Sequence, residues 1–164
     1  MKFLERDLEE ILFTADKSAL FDQGFYKASN LKRQLVIGRY GRADMVGFEC
    51  RSKSNQWHIP GKRFIVTVYE LKQDKISVSS FLQAAGYLRG IKDYLKKKHP
   101  HIYDNTCFEI VLVGRNVDDN SSFIYLPYLL EGEKFRLSLF TYEYDVYGIK
   151  FKTHKHYSLL NSGF

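Results

Sequence analysis

The sequence contains little cysteine and no long apolar run. Its two cysteines, Cys50 and Cys107, form no Cys-x-x-Cys motif and lack the spacing of metal ligands. We expect two buried thiols in a reducing cytoplasm, with a disulfide between them as the alternative. No segment approaches the roughly 18 apolar residues of a membrane-spanning helix, and acidic residues occupy the N-terminal stretch where a signal peptide needs an apolar centre. These absences predict a soluble, cytoplasmic protein with no membrane partner.

The sequence also lacks internal repeats, low-complexity tracts and linkers. Its 164 residues fit a single domain, with a core at about 3–115 and a strand-rich C-terminal extension at about 116–164. Apolar residues make up 45% and aromatic residues 16%, which excludes a disordered chain. The net charge of +6 is compatible with an anionic partner such as nucleic acid, but does not require one.

The apolar pattern divides the chain into helices and strands. Residues 3–13 have helical spacing, residues 78–98 form a longer helix that Pro100 ends, and the mixed segment after the first helix turns at Gly24. The strand-like segments are 32–40, 42–51, 62–72, 107–115 and one or two within 134–154, with a polar loop at 52–61 and an ambiguous segment at 121–130. This order predicts an α/β fold, a central mixed sheet flanked by helices.

The third predicted strand ends in two charged residues on a buried face. Side chains alternate along a strand, so Glu70 and Lys72 share one face with its apolar residues. Those residues are Phe64, Val66 and Val68. A buried charge is costly unless it is paired or bound to a metal ion. The pattern indicates a buried ion pair or a functional site, and a solvated surface pair is the plain alternative.

A second acid falls near the same place. If segments 42–51 and 62–72 pair as a hairpin, Asp44 meets Glu70 at one edge of the sheet, with Lys72 beside them. Two carboxylates repel unless a cation or a proton lies between them. Mg²⁺ prefers oxygen ligands, few carboxylates and several waters. The group therefore predicts a divalent-cation site, although Asp44 alone also suits a turn.

This arrangement resembles the PD-(D/E)xK nuclease superfamily, which has the restriction-endonuclease-like fold. Asp44 matches the acid of the motif, and Glu70, Leu71 and Lys72 match its Glu-x-Lys at the end of a buried strand. Ala43 stands where the motif has proline, as in many members of the superfamily. The chain is also similar to the catalytic domain of archaeal and actinobacterial mismatch-specific endonucleases.

Two helices extend the resemblance to about residue 94. The first helix carries Glu5, the better match to the helical acid of these nucleases, with Glu9 as the alternate. The helix after the third strand carries Gln83 and Tyr87, which resemble the Q-x-x-x-Y motif of RecB-like nucleases. By this resemblance, Gln83 would orient Lys72 or a water, and Tyr87 would support that helix face.

The resemblance implies Mg²⁺-dependent hydrolysis of phosphodiester bonds, with Mn²⁺ as a substitute cation. Asp44, Glu70 and the backbone carbonyl of Leu71 would bind the metal. Lys72 would position the attacking water and stabilise the charge that builds on the phosphate. Glu5 would bind a second metal or order a water. The expected activity is that of a nuclease, and of a DNA endonuclease rather than one for RNA.

Five further residues are candidates for nucleic-acid contact. Arg39 and Arg42 flank the acid, Trp57 lies in the polar loop and could stack or wedge, and Arg89 and Lys92 lie on the long helix. Each also has a structural explanation, as a neutralising charge, a core aromatic or a solvated helix face. A non-cleaving nucleic-acid-binding or assembly module on the same scaffold remains the alternative function. A homodimer and a subunit of a larger complex both suit this length.

Overall fold

A six-stranded mixed β-sheet lies at the centre of the protein. The structure is a computed structural model that describes residues 3–52, 62–118 and 135–158. In chain order the strands are β1 (Asn30–Val36), β2 (Arg42–Ser52), β3 (Lys62–Leu71), β4 (Lys75–Ile76), β5 (Thr106–Gly114), β6 (Asn116–Val117), β7 (Arg136–Asp145) and β8 (Gly148–Ser158). The sheet has the order β1-β2-β3-β5-β7-β8, and β4 pairs with β6 separately. The predicted α/β fold with a mixed central sheet is confirmed.

The strand directions bring several strand ends to one edge of the sheet. β3, β5 and β7 are parallel, whereas β1–β2, β2–β3 and β7–β8 are antiparallel pairs. A parallel pair needs a crossover connection, and a helix between β3 and β5 supplies it. The C-terminal ends of β3, β5 and β7 therefore lie at the same edge as the start of β2.

Helices cover both faces of this sheet. They are α1 (Glu5–Thr14), α2 (Lys17–Asp22), α3 (Val78–Lys98) and α4 (Pro100–Asp104). Because β3 is covered on both sides, its side chains divide between two cores. Val66 and Val68 pack in the core that includes residues of α3, and Tyr69 and Leu71 pack in the core that includes residues of α1 and α2.

The C-terminal strands belong to the central sheet. β7 lies directly beside β5, with Ile110 opposite Leu137 and Leu112 opposite Leu139. All three leucines are buried in the core under α3. The strand-rich extension predicted from the sequence thus completes the sheet that carries the rest of the fold.

Three local predictions differ from the structure. α2 forms where a mixed segment was expected, because Leu20 is buried against the α1 core. Cys50 is exposed rather than buried, since its end of the sheet is poorly covered: its cross-strand neighbour Phe64 is itself 39% exposed. Both cysteines are free thiols. The strand predicted at 32–40 ends at Val36, because Gly38 takes a φ of 46° and starts a short helical turn, Gly38–Tyr40. Pro100 follows the end of α3 as expected and also begins α4, where its missing N–H would be unpaired in any case.

Some predictions concern parts of the chain that the structure does not describe. The loop that carries Trp57 and the segment 121–130 fall there. Within the described ranges, no helix is long and apolar enough to cross a membrane.

Two glycines of α3 provide a matched test of its packing. A Cβ at Gly90 would lie 2.5 Å from Ile37 Cγ2 and 2.6 Å from Tyr40 Cδ2, whereas a Cβ at Gly86 would meet nothing within 4 Å. We expect Gly90→Ala to destabilise the fold by about 1–3 kcal/mol, and Gly86→Ala to stabilise it by about 0.5–1 kcal/mol through helix propensity. Urea unfolding of both variants measures this. Equal stabilities would contradict the packing of α3 on the turn before β2.

Candidate functional site

The predicted hairpin places Asp44 beside Glu70. The β2–β3 ladder ends at the pair Met45 and Tyr69, so the next position along it sets Asp44 opposite Glu70. Asp44 Oδ2 accepts the backbone N–H of Leu71 at 2.9 Å, which holds this carboxylate against the end of β3. The structure therefore brings the two predicted acids to the same edge of the sheet.

Glu70 is a buried carboxylate with only one of its oxygens satisfied. Its side chain is 1% exposed, and Oε1 accepts a hydrogen bond from Lys72 Nζ at 2.6 Å. Its other oxygen, Oε2, is buried and has no hydrogen-bond partner among the described residues. A buried polar atom without a partner costs about 1–3 kcal/mol, and more when it is charged. Such an atom is the expected sign of a missing cation, proton or water.

Lys72 is linked to α3 by a chain of contacts. Its Nζ lies 3.5 Å from Gln83 Oε1, and Gln83 Nε2 donates to the Tyr87 hydroxyl at 2.9 Å. Gln83 and Tyr87 are one helical turn apart and face the same way. A Cβ at Gly41 would lie 3.3 Å from the Tyr87 ring, so this ring packs closely against the turn before β2. Of the Q-x-x-x-Y pattern, Gln83 thus reaches Lys72 directly, and Tyr87 reaches it only through Gln83.

The first helix brings Glu5 into the same electrostatic group. Burial has the largest effect on the pKa values of Asp44, Glu70 and Lys72. The Glu5 carboxylate has a smaller effect, which raises all three pKa values. Its side chain is only half-buried at the N-terminal end of α1. Glu5 therefore stands close to the site and remains open to solvent.

The alternate acid, Glu9, is already engaged elsewhere. Its Oε1 accepts from Arg33 Nε at 2.8 Å, and its Oε2 accepts from Gln34 Nε2 at 2.7 Å. Gln34 has a φ of 48°, and it lies where β1 would pair with Asp44. Glu9 thus binds two side chains of β1 next to the site. The sequence carries no signal for this role, because neither the positive φ nor the cross-strand contact is visible in it.

The pKa values at the site follow from burial and from crowding of acids. Burial raises the pKa of Asp44, Glu5 adds to the effect, and the Leu71 N–H opposes it. Burial, followed by the neighbouring Asp44 carboxylate, raises the pKa of Glu70 to about 7, despite the opposing contact with Lys72. Burial lowers the pKa of Lys72, but the hydrogen bond to Glu70 and the other carboxylates outweigh it and leave it raised. The site is therefore rich in negative charge and has one ammonium.

Arg39 and Arg42 differ in how they are held. The Arg39 guanidinium lies 5.3 Å from the centre of the Tyr40 ring, and the Tyr40 hydroxyl donates to Asp93 on α3. The Arg42 side chain is exposed and makes no hydrogen bond or ion pair with the described residues, although its backbone pairs with Val36 in the sheet. Both belong to the turn and strand that lead into Asp44, at the site edge of the sheet.

The two basic residues of α3 have local partners and lie away from the site. Arg89 Nε is 3.3 Å from Asp93 Oδ1, one turn along the same helix. Lys92 Nζ lies 5.1 Å from the centre of the Phe108 ring, near the start of β5. Nine residues of helix separate it from Gln83, about 13 Å of rise. The structure therefore does not bring Arg89 and Lys92 into the acidic group, and Trp57 is outside the described residues.

The donor set suits a hard divalent cation with most of its waters. Within the described residues, no three His, Cys, Asp or Glu side chains are grouped so that they could hold a metal ion by themselves. Mg²⁺ does not need such a cage, because it commonly binds one or two carboxylates and keeps several waters. The partnerless Glu70 Oε2, with Asp44 next to it, provides oxygen ligands of this kind. The residues present therefore fit the predicted cofactor.

Comparison with known proteins assigns no family to the chain. A scan against protein-family models found no match, and searches of the curated proteins and of the solved structures found none either. The chemistry of the site is therefore argued from its own residues.

The raised pKa of Glu70 predicts a pH-dependent stability. The unfolded chain releases this proton near pH 4.5 and the folded chain near pH 7, so the folded state binds more protons between them. Stability should therefore fall as pH rises through this window, by on the order of 3 kcal/mol. We expect Glu70→Gln to flatten the fall, measured by urea unfolding from pH 5 to 8 in EDTA. The exposed control Glu143→Gln should follow the wild type, and a Glu70→Gln profile parallel to wild type would refute the prediction.

Proposed function

We propose that this protein is a metal-dependent nuclease that hydrolyses phosphodiester bonds of nucleic acid, with DNA as the substrate and endonucleolytic cleavage as the activity. The observation that carries the proposal is the buried Glu70 carboxylate, which has one oxygen on Lys72 and the other without a partner. A structural ion pair would satisfy both oxygens. A site that exchanges a cation and a phosphate needs this incomplete arrangement.

The cation would be Mg²⁺, held by side chains from two neighbouring strands. Asp44 and Glu70 would supply carboxylate oxygens, and the backbone carbonyl of Leu71 would be the third protein ligand. Bound there, Mg²⁺ would neutralise charge on the scissile phosphate and lower the pKa of an attacking water. Glu5 would order further water at the edge of the site, where it is open to solvent.

Lys72 would act on the substrate from the position that Glu70 and Gln83 give it. Its raised pKa keeps the ammonium charged at neutral pH, so it can donate to a phosphate oxygen or to the attacking water. Gln83 limits the directions that Nζ can take, and Tyr87 holds the Gln83 amide in place. These two residues position Lys72 and do not touch the reacting atoms.

Nucleic acid is supported as the substrate by charge and by position. The chain has a net charge of +6, although the site itself is acidic. Arg42, which is exposed, and Arg39, which lies over the Tyr40 ring, are both at the site edge of the sheet, where they could neutralise flanking phosphates. This placement, together with the α/β sheet and the Asp…Glu-x-Lys order, supports a restriction-endonuclease-like nuclease.

Cleavage of DNA tests the proposal directly. We expect the wild type to cut circular single-stranded or supercoiled double-stranded DNA in Mg²⁺ or Mn²⁺ and not in EDTA. Glu70→Gln and Lys72→Met should each lower the rate at least about 100-fold, because each removes charge stabilisation of the transition state. The matched control Lys75→Met removes an exposed lysine near the site and should cut like wild type. Binding of DNA without cleavage would favour the non-cleaving module instead.

Metal binding can be tested without any substrate. We expect Mg²⁺ to raise the melting temperature of the wild type, and more at pH 8 than at pH 6, because protons compete for Glu70 at lower pH. Glu70→Gln and Asp44→Asn should lose most of this shift. An equal Mg²⁺ shift in wild type and Glu70→Gln, measured by differential scanning fluorimetry, would remove Glu70 from the cation site.

A further inference from the structure

The turn between β7 and β8 exposes two apolar side chains. Val146 is 93% exposed and Tyr147 is 89% exposed, the highest values for large apolar residues in the described part of the chain. Neither supports the core, so polar residues here would cost the fold nothing. Exposed apolar groups of this kind often mark a contact with a partner or ligand.

The turn presents these side chains in one defined conformation. Asp145 Oδ1 accepts the Tyr147 backbone N–H at 2.8 Å, and Gly148 takes a φ of 112° that a side chain would disfavour. Asp145 and Gly148 close the β7–β8 ladder as its last pair. The tip, defined as Val146 and Tyr147, is therefore held outward by the hairpin.

The tip stands at the same edge of the sheet as the candidate site. Glu70 lies level with Leu112 in β5, and Leu112 lies level with Leu139 in β7. β7 then continues to Asp145, which carries the tip about 20 Å past the level of Glu70. Two strand spacings separate them sideways, about 10 Å. The β7–β8 hairpin thus projects beyond the sheet edge to one side of the site.

Two contacts fix the β7–β8 hairpin relative to the site. The Tyr142 hydroxyl donates to the carbonyl of Gln73, the residue after Lys72, at 2.8 Å. The Phe3 ring stacks on Tyr144 at 4.6 Å between centroids, just before the helix that carries Glu5. The hairpin is therefore attached to the end of β3 and to the start of α1.

The charges around the tip select the kind of contact it can make. Glu143 and Asp145 are exposed and flank it, and Lys150 lies opposite Glu143. A surface for phosphate would need unpaired cations at this place. An exposed aromatic side chain instead suits the uncharged face of a base, which any unpaired nucleotide exposes, whereas the acidic neighbours offer no attraction for phosphate.

We propose that the tip engages the nucleic-acid substrate, with Tyr147 stacking on an unpaired base and Val146 packing at the junction with the paired region. The inference rests on the proposed nuclease function and narrows its substrate class to DNA that contains single-stranded or branched segments. At 3.4 Å per stacked nucleotide, the tip contacts the strand roughly six nucleotides from the cleaved bond.

The stacking contact is measured by binding, without cleavage. A duplex with a single-stranded extension carries 2-aminopurine in the unpaired part and is titrated with protein in EDTA. We expect the wild type and Tyr147→Phe to change its fluorescence by stacking, and Tyr147→Ser to lose that signal and about 5- to 100-fold of affinity. Affinity for the fully paired duplex should stay the same. The matched control Phe21→Ser, at an aromatic residue 67% exposed on α2, should bind like wild type.

Cleavage in Mg²⁺ separates this inference from the proposed function. If the wild type cuts and prefers partly unpaired DNA, and Tyr147→Ser abolishes that preference, the nuclease function and the stacking contact are both supported. If it cuts and Tyr147→Ser keeps the preference, the inference is overturned and the nuclease stands. A Tyr147-dependent fluorescence change without any cutting supports the stacking contact and rejects the nuclease. If Tyr147→Ser changes only the oligomeric state in light scattering, the tip is a protein interface and the inference fails.

Discussion

The burial of the Glu70 carboxylate is the constraint on which the site depends. At 1% exposure an ionised carboxylate must find partners, and Lys72 satisfies only one of its two oxygens. The remaining oxygen has no partner, and the neighbouring Asp44 carboxylate makes ionisation of Glu70 harder still. The fold thus holds an arrangement that is unfavourable for stability alone, which is typical of binding and catalytic sites.

The neighbours of Glu70 come from elements that are far apart in the chain. β2 supplies Asp44, α1 supplies Glu5, and α3 supplies Gln83, which contacts Lys72, so the group exists only when the sheet and both helix layers are assembled. β3 is central to this, because it pairs with β2 on one side and with β5 on the other. The parallel crossover through α3 then returns Gln83 to the end of β3, as ligand sites at the carboxyl ends of strands commonly require.

Several of these contacts could be predicted because they follow from the regular spacing of side chains along strands and helices. Alternation along a strand places Glu70 and Lys72 on one face, hairpin pairing aligns Asp44 with Glu70, and helical spacing aligns Gln83 with Tyr87. The engagement of Glu9 and the position of Lys92 could not be predicted. Each depends on which side chain of another element lies nearest, and no local period determines that.

The sequence by itself determined the α/β class, the extent of α3 and the set of acids and amines that could form a site. Only the tertiary structure decided that Glu70 is buried with one oxygen unpaired, and that the β7–β8 hairpin stands at the site edge. The physical reason is that residue type and local period are encoded along the chain. Burial and long-range register arise only when distant segments pack and exclude water from the groups between them.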